Sequence, residues 1–484
     1  MIQFDIKNLI PIIPIIVLTL WAVALLLVDL FIPKKRKGLT ALLAAAGLAL
    51  TIGFALSQTS QTSLGFNGMV VLDGFSTFLN VLLLFTGLMG ISLAYGYLKR
   101  MGIERGEYYS LILFSVVGMM LMVQAADLIV VFIALELLSI PLYVLAAFAN
   151  TNASSEEAGI KYFLLGAFSG GFVVYGIALV FGATQTTAIA GIAVAAQAGM
   201  ANIPLMLAGS ALIMVGFGFK IAAVPFHMWT PDVYQGAPTP VTAFMAAGAK
   251  IAGFAALMRV FSTAFPSLAT DLTPILAILA ALTMIVGNVV AVSQTNVKRM
   301  LAYSSIAHAG YILMAFVAFG NPAVAPTAIA AGIFYLVTYA LTNFGSWGIV
   351  IALEEAEGKG LELEDYAGLG RKNPLMAAAM TVFMLSLTGI PPTLGLVGKF
   401  YLFSAVIAAD FYWLAIIGVV TSLISAFYYL RLVVIMYMKD GQPKTTSDSW
   451  LDLSWITMAA ITVVLSFLPA FLFEWASEAV MKLF

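Results

Sequence analysis

The chain has 484 residues, of which 62% are hydrophobic and 9% charged, and its mean hydropathy is +1.05. Soluble domains are about 45–50% apolar and about 25% charged, so this composition excludes a soluble protein. The balance of 22 Lys and Arg against 23 Asp and Glu excludes a broad nucleic-acid-binding surface, which needs clustered basic charge. Apolar runs of about 20 residues recur along the chain and indicate a polytopic membrane protein.

The sequence is poor in ligands for metals and redox groups. Cysteine is absent, which excludes disulfides, thiolate metal sites and thiolate-bound iron–sulfur clusters. The two histidines, His227 and His308, are not at metal-ligand spacing. We therefore expect no cofactor and no metal site in this chain.

Charged or Gly- and Pro-rich breaks divide the chain into fourteen apolar segments. Helices are predicted for them because in lipid every backbone amide must be bonded within its own segment. The first segment is too long and too weakly basic for a cleaved signal peptide, so we expect it to be retained as a span. The predicted spans are 9–30, 39–57, 73–96, 108–125, 127–148, 159–182, 203–236, 238–262, 272–293, 300–319, 325–353, 374–408, 411–438 and 453–473.

The basic residues of the loops support this division. Fourteen Lys and Arg residues lie in loops that follow odd-numbered spans, and the loops that follow even-numbered spans contain none. The basic-free loops include 183–202, which is polar and Ala-rich. By the positive-inside rule the odd-numbered loops are cytoplasmic, and both termini are expected on the opposite side.

The seventh and twelfth spans are longer than a bilayer needs and contain proline in their interiors. Pro225 interrupts 203–236, and the pair Pro391 and Pro392 interrupts 374–408. Because proline breaks a helix, both spans are predicted to be discontinuous, and they lie five spans apart. The predicted fold class is an all-α polytopic membrane protein with two inverted five-helix repeats. The predicted domains are 1–107 (three helices), 108–265 (first repeat), 266–440 (second repeat) and 441–484 (C-terminal helix).

Four ionisable residues fall near the middle of predicted spans: Glu136, Lys220, Lys250 and Lys399. A charge at the bilayer centre costs about 2.5–3.5 kcal/mol on insertion scales, so such residues usually have a function. One alternative is that they only pair and hold helices together, which is plausible for Glu136 with one lysine. One carboxylate cannot neutralise three lysines in separate spans, however. Since burial favours the neutral form of a lysine, these lysines could exchange protons, and we interpret the four residues as a proton path with water in its gaps.

The histidines are more ambiguous. His308, near the middle of the tenth span, fits a packing residue or a relay residue equally well. His227 lies in the Pro-rich segment beside the seventh-span break, where it could cap a helix or gate a cytoplasmic opening.

Other charges are assigned to surfaces. Arg259, Arg431 and Asp410 lie near span ends and are expected to snorkel into the interface. An acidic cytoplasmic loop is expected to be a solvated linker, with a docking surface as the alternative; it contains Glu354, Glu355, Glu357, Glu362, Glu364 and Asp365.

Three segments carry a resemblance to a known family: GFGFKIAAVPFHMWTPDVYQGAPTPVTAFMAAGAK (216–250), NVKRMLAYSSIAHAGYIL (296–313) and LSLTGIPPTLGLVGKFYLF (385–403). With them the chain resembles, over essentially its whole length, the antiporter-like subunits of respiratory complex I, or NADH-quinone oxidoreductase. The stretch VYQGAPTPVT is similar to the N type of that family, and lysine in the twelfth span argues against the M type. The chain lacks the long C-terminal amphipathic arm of the L type.

The resemblance implies roles for single residues. Glu136 corresponds to the carboxylate of the fifth helix, and Lys220 to its partner lysine of the seventh. Lys250 corresponds to the central relay lysine, Lys399 to the terminal lysine facing the outer exit, and His308 to a frequent histidine of the tenth helix.

The resemblance also implies an assembly. The expected partners are other membrane-arm subunits, namely an antiporter-like M type and small K-, J- and A-type subunits, in a bacterial plasma membrane. Flavin, iron–sulfur clusters and quinone are expected in partner subunits.

The predicted function is proton translocation driven by electron transfer in those partners. The rival functions are an Mrp-type cation/proton antiporter subunit, the equivalent subunit of a ferredoxin-, F420- or hydrogenase-linked complex, and a structural scaffold. Sodium sites usually add core Asp or Glu ligands, and here Glu136 alone is central, which disfavours the antiporter.

Overall fold

The computed structural model describes residues 6–355 and 358–481. Seven of the described helices begin where an Asp or Asn side chain satisfies one of the first free amides. Asp73, for example, accepts a hydrogen bond from the Ser76 amide and caps the third span. The helices described are α1 (Ile13–Asp29), α2 (Gly38–Ser57), α3 (Gly74–Arg100), α4 (Glu107–Gln124), α5 (Leu128–Ala146), α6 (Ala153–Thr184), α7 (Ile189–Gln197), α8 (Ile203–Ile221), α9 (Trp229–Gly236), α10 (Thr239–Phe244), α11 (Lys250–Ala264), α12 (Ala269–Val292), α13 (Val297–Met314), α14 (Ala325–Leu353), α15 (Leu369–Lys372), α16 (Pro374–Thr388), α17 (Leu394–Ala408), α18 (Tyr412–Met438), α19 (Ser449–Phe467) and α20 (Pro469–Met481).

The described helices confirm the all-α polytopic membrane architecture. Thirteen segments are long and apolar enough to cross a bilayer. The shorter apolar helices α16 and α17 occupy the remaining predicted span, the twelfth. The division into residues 1–107, 108–265, 266–440 and 441–484, and the inverted-repeat relation, stay predictions.

Both predicted helix breaks are present. The helix α8 ends at Ala222, which has the left-handed φ of 62°, and the chain resumes as a helix in α9. The helix α16 ends at Gly389, with φ of 89°, and resumes in α17. Each break therefore leaves a helix C-terminus and a helix N-terminus inside the bundle.

The centre of the bundle is formed by three spans: α10–α11, α13 and α14. Every residue in an apolar 18-residue segment of Thr239–Ala264 is buried, and the same holds for Ala325–Leu353. In the corresponding segment of Val297–Ala318, 94% of the residues are buried. By contrast, only 28% of the residues in the corresponding segment of α19 are buried. Lys250 and His308 thus lie on the innermost helices.

The structure corrects several sequence predictions. The segment 183–202, which was predicted to be a loop, contains the helix α7. The last span ends at Phe467, and α20 follows it as a separate helix. The described part of the chain also contains one short hairpin, in which β1 (Ser63–Gly65) pairs antiparallel with β2 (Val70–Leu72), with Leu64 opposite Val71.

One interruption was not predicted. Between α10 and α11 the eighth span passes through a π-helical turn, Met245–Ala249, directly before Lys250. Such turns re-aim the side chains that follow them and are frequent at functional sites.

Candidate functional site

The three mid-span lysines are buried without a direct ion pair to a carboxylate. Lys220, Lys250 and Lys399 are 3%, 1% and 3% exposed. Their recorded hydrogen bonds all go to hydroxyl or carbonyl oxygens, and no ion pair joins them to an acid within the described residues. Pairing with acids therefore does not account for their burial.

Lys220 occupies the last turn of α8, immediately before the seventh-span break. Its Nζ donates to the Ser139 Oγ at 2.7 Å and lies 3.5 Å from the Tyr162 hydroxyl. A cation in the last helical turn is favoured by the exposed carbonyls of that helix end. The break thus holds the ammonium group against α5.

Glu136 lies on α5, one turn before Ser139, and is partly exposed on the surface of the chain. A Cβ atom on Gly170 of α6 would lie 2.8 Å from the Glu136 Oε1, so the glycine leaves room for the carboxylate. Glu136 and Lys220 do not form a direct ion pair, and Ser139 is the group of α5 that receives the lysine.

Lys250 directly follows the π-helical turn and reaches from α11 to α13. Its Nζ donates to the Ser305 Oγ at 2.5 Å and also to the Ser305 carbonyl. The Tyr339 hydroxyl donates to the same Ser305 Oγ at 2.8 Å. On the other side, a Cβ atom on Gly253 would lie 3.4 Å from the Lys220 Cγ, so α11 passes directly along the Lys220 stem.

His308 bonds through both ring nitrogens to tyrosine hydroxyls. The Nδ1–Tyr335 distance is 2.8 Å and the Nε2–Tyr429 distance is 3.2 Å. The ring centroid lies 5.3 Å from that of Tyr339 and 5.7 Å from that of Tyr311. Tyr339 bonds the serine that holds Lys250, and the ring of Tyr311 lies against the Lys399 ammonium group. His308 therefore lies between Lys250 and Lys399.

Lys399 lies in α17, just after the twelfth-span break, and bonds back across it. Its Nζ donates to the Thr388 carbonyl at 2.8 Å, at the end of α16, and to the Ser422 Oγ at 3.1 Å. It also lies 4.6 Å from the Tyr311 ring centroid, within cation–π range. Lys399 therefore places its ammonium group at the C-terminal end of α16, and Lys220 lies in the last turn of α8.

His227 stands apart from this row. It lies between α8 and α9, is 9% exposed, and its Nδ1 has no hydrogen-bond partner among the described residues. The structure shows no hydrogen bond between it and the other five candidates, so it is not joined to the lysine row.

A polar cavity that the sequence did not indicate lies among the loops that follow odd-numbered spans. Its volume is about 860 Å³, and its wall includes Lys298, Glu354, Asp232, Lys161 and Glu157. Lys298 and Glu354 are 2% and 6% exposed. Both lie just outside predicted spans, where the sequence pattern predicts solvent-exposed side chains. The prediction of a solvated loop is therefore wrong for Glu354. Glu357 of that loop lies outside the described residues.

Inside the cavity the buried charges are held by uncharged groups. The Lys298 Nζ donates to the Ala237 carbonyl at 2.8 Å. The Tyr97 hydroxyl donates to the Glu354 Oε1 at 3.2 Å, and the Glu354 Oε2 has no partner among the described residues.

Arg259 does not snorkel, which corrects the sequence prediction. It is 6% exposed and forms two bonds to the Asp73 carboxylate, at 2.9 and 3.0 Å. Its Nε also donates to the Val123 carbonyl at 2.9 Å. A bidentate pair of this kind fixes the end of α11 to the start of α3.

The described residues contain no group of three or more His, Asp or Glu side chains placed to hold a metal ion. The chemistry that this set of residues can perform is proton exchange along a row of amines, hydroxyls and one imidazole.

Comparisons with known proteins agree over nearly the whole chain. The family model described as "NADH:quinone oxidoreductase/Mrp antiporter, TM" matches residues 125–425, which include every candidate residue of the row. NADH-quinone oxidoreductase subunit N of Trichlorobacter lovleyi is 46% identical, covering 99% of this chain and 98% of that protein. A chain of respiratory complex I from Thermus thermophilus with bound aureothin is 35% identical, with a TM-score of 0.81, covering 96% of this chain and 99% of that one. A chain of the Mrp complex from Dietzia sp. DQ12-45-1b has a TM-score of 0.88 at 20% identity, covering 99% and 98%, which is a likeness of fold.

Proposed function

The chain belongs to the NADH:quinone oxidoreductase/Mrp antiporter transmembrane family, and from this premise we propose that it is the proton-translocating N subunit of an NADH-quinone oxidoreductase membrane arm. The observation that carries the proposal is the row of buried lysines bonded to hydroxyls instead of acids. A lysine held in this way is not locked in its charged form, and so it is suited to take up and release a proton.

Within this proposal the residues act in the order in which the contacts connect them. Glu136 receives the signal from a neighbouring subunit and changes the charge beside Lys220. Lys220 passes a proton toward Lys250. The aliphatic part of the Lys220 side chain packs against α11, the helix that carries Lys250. Lys250 exchanges protons with Lys399 through the tyrosines around His308. His227 is a candidate gate beside this path and is given no step in it.

Protons reach the row from the polar cavity. Ala237 and Pro238 line the cavity, and the chain continues from them through α10 and the π-helical turn to Lys250. The hydroxyl of Thr239 lies buried on this stretch and that of Tyr234 just before it, in α9, and neither has a partner among the described residues. They supply polar sites between the cavity and the lysine.

Energy for transport comes from partner subunits in this proposal. Moving one charge against 100 mV costs about 2.3 kcal/mol. The sequence contains no cysteine to ligate an iron–sulfur cluster, and in this proposal flavin, clusters and quinone belong to other chains. The proposed partners are an antiporter-like M-type subunit and small K-, J- and A-type subunits.

We place the chain in a bacterial plasma membrane, with its basic loops in the cytoplasm and both termini on the other side. The excess of Lys and Arg in loops after odd-numbered spans supports this orientation. The polar cavity lies among those loops, so it opens to the cytoplasm.

The test replaces Lys220 and Lys250 by alanine, singly and together, in the intact complex. We expect assembly and NADH oxidation by a soluble acceptor to persist, whereas proton transport into vesicles falls at least about tenfold, the effect of losing one positioned proton-transfer group. Lys444→Ala is the control. It removes an exposed lysine that forms an ion pair with Glu355, and it should pump normally. Normal pumping by the double variant would refute the relay.

Purification of the tagged chain from native membranes distinguishes the rival functions. Flavin- and iron–sulfur-bearing subunits in the purified material support the electron-driven pump. If only small cation-antiporter subunits accompany the chain, the proposal fails in favour of the Mrp-type antiporter.

A further inference from the structure

A second polar cavity lies on the side of the basic loops, away from the lysine row. Its volume is about 910 Å³, and it is bounded by the end of α3, the start of α2 and the start of α19. Three cations line it: Arg36, Lys99 and Arg100. It also contains Glu104 and Asp448, so cations are in excess.

Two of these cations have no partner among the described side chains. Arg36 and Lys99 are exposed, and no hydrogen bond or ion pair is recorded for either side chain. Arg100, by contrast, donates to the Ile351 carbonyl at 2.5 Å and is fixed in place. The Asp448 Oδ1 accepts from the Trp450 amide at the start of α19, whereas its Oδ2 is buried without a partner among the described residues. Three cations against two carboxylates leave the cavity with a net charge of +1, which favours an anionic ligand.

An apolar groove continues from this cavity toward the bilayer core. The groove, of about 250 Å³, runs between α2, α3 and α19 and is lined by side chains such as Ala45, Phe85, Leu88 and Ile461. Its two serines, Ser92 and Ser454, bond to each other at 2.8 Å and leave the wall apolar.

The cavity and the groove meet at aromatic residues. Leu42 and Tyr95 line both spaces, and Trp450 lines the groove with its ring centroid 6.3 Å from that of Tyr95. Tyrosine and tryptophan concentrate at the level of lipid headgroups. The cavity with its unpaired cations matches the headgroup of a lipid, and the apolar groove matches an acyl chain.

We propose that the cavity and groove bind one anionic glycerophospholipid of the leaflet that faces the basic loops. Its phosphate lies against Arg36 and Lys99, and one acyl chain lies in the groove between α2, α3 and α19. Free phosphate would use the cavity and leave the groove empty, and an apolar helix of another subunit would use the groove and leave the two cations unpaired.

The test uses the intact complex and photoactivatable phosphatidylglycerol with a diazirine in one acyl chain. We expect the adduct on α2, α3 or α19 peptides that line the groove. Arg36→Gln with Lys99→Gln should lower the labelling about tenfold, because each basic residue near the surface contributes to the attraction of anionic lipid. Ala45→Phe, which fills the groove, should abolish it.

Matched controls separate this site from general lipid contact. Lys34→Gln with Arg105→Gln removes two basic-loop cations that do not line the cavity, and Ala46→Phe adds the same bulk beside the groove; both should label like the wild type. A zwitterionic phosphatidylcholine probe should label about tenfold less. The proposal is overturned if excess inorganic phosphate competes as well as the lipid does, if another subunit crosslinks in the groove instead, or if all variants label equally.

Discussion

Ser139 and Ser305 are the residues that decide how the buried lysines are held. Each hydroxyl accepts from an ammonium group, at 2.7 Å from Lys220 and 2.5 Å from Lys250. A hydroxyl stabilises the ammonium form through a hydrogen bond but adds no opposite charge, so the proton is not trapped as it would be beside a permanent carboxylate.

Replacement of Ser139 by alanine tests this arrangement. A hydrogen bond to a charged group contributes about 1.5–3 kcal/mol, and about 1.4 kcal/mol corresponds to tenfold in rate, so we expect proton transport to fall about tenfold or more. Proton uptake by vesicles during NADH oxidation is the measurement. Ser210→Ala on α8, whose hydroxyl bonds only its own helix at the Leu207 carbonyl, should leave transport unchanged. Equal transport in the two variants would contradict the role of Ser139.

The pair of Asp73 and Arg259 is expected to act on stability. Removing one member of a buried ion pair costs about 3–5 kcal/mol, so Asp73→Asn should lower the unfolding temperature measurably. Asp73→Asn with Arg259→Met, which leaves no unpaired charge and keeps a side chain that can cap α3, should recover much of the loss. Stability equal to that of the wild type in Asp73→Asn would contradict the clamp.

The same pair predicts a pH dependence. Burial raises the pKa of Asp73, but the Arg259 guanidinium and the hydrogen bonds from Arg259 and Ser76 outweigh it and hold the pKa below its usual range. The stabilisation is therefore complete above the ordinary aspartate pKa of about 3.9 and is lost as the pH falls through the lower folded-state value. Unfolding temperatures of wild type and Asp73→Asn should differ equally at pH 7 and pH 5 and converge only in stronger acid. Convergence already at pH 5 would contradict this assignment.

At the scale of helices, the two breaks bring charge and backbone dipoles together. Lys220 lies in the last turn of α8, and Lys399 donates to the carbonyl that ends α16. A helix C-terminus carries a partial negative charge that is strong where water is excluded. The position of each lysine at a break therefore favours its charged form.

Gly389→Ala tests the twelfth-span break. Gly389 has φ of 89°, and a Cβ atom there would lie 2.9 Å from the Lys399 Cδ. We expect a loss of about 1–2 kcal/mol from the left-handed backbone, together with reduced proton transport because Lys399 must move. Unfolding temperature and proton uptake are both measured. Gly171→Ala on α6, where a Cβ atom would meet nothing within 4 Å, is the control and should keep both. Identical behaviour of the two variants would count against the break as a support for Lys399.

At the scale of the whole molecule, the proposed orientation follows from the loops, whereas the path follows from the packing. The basic loops lie after odd-numbered spans, and the polar cavity is formed among them. The most deeply buried spans carry Lys250 and His308. The proposed path thus leads from the cytoplasmic side into the centre of the bundle before it turns toward Lys399.

The orientation can be measured with single cysteines, since the chain contains none. Gln61→Cys and Lys372→Cys place a thiol in exposed positions after the second and eleventh spans. We expect a membrane-impermeant maleimide added outside intact cells to label Gln61→Cys alone, and inverted vesicles to give the reverse. Labelling of both positions from one side would contradict the proposed orientation.

Much of the architecture could be predicted from the sequence, for a physical reason. In lipid each helix must satisfy its own backbone amides, so span number, span limits and proline breaks depend on local sequence. The cost of burying charge singled out Glu136, Lys220, Lys250 and Lys399 as well. The short helix α7, the π-helical turn and the hairpin were missed because their composition is that of the segments around them.

The contacts between helices were decided only by the tertiary structure. Asp73 and Arg259 are 186 residues apart, and Lys250 and Ser305 are 55 apart. No local pattern distinguishes Arg259, which is paired and buried, from an arginine that snorkels at a span end, because burial depends on which helices pack beside it. The sequence by itself determined which residues enter the membrane, since that depends on the hydropathy of each segment. The tertiary structure decided which groups receive the buried charges, since hydrogen bonds act only over the few ångströms that helix packing sets.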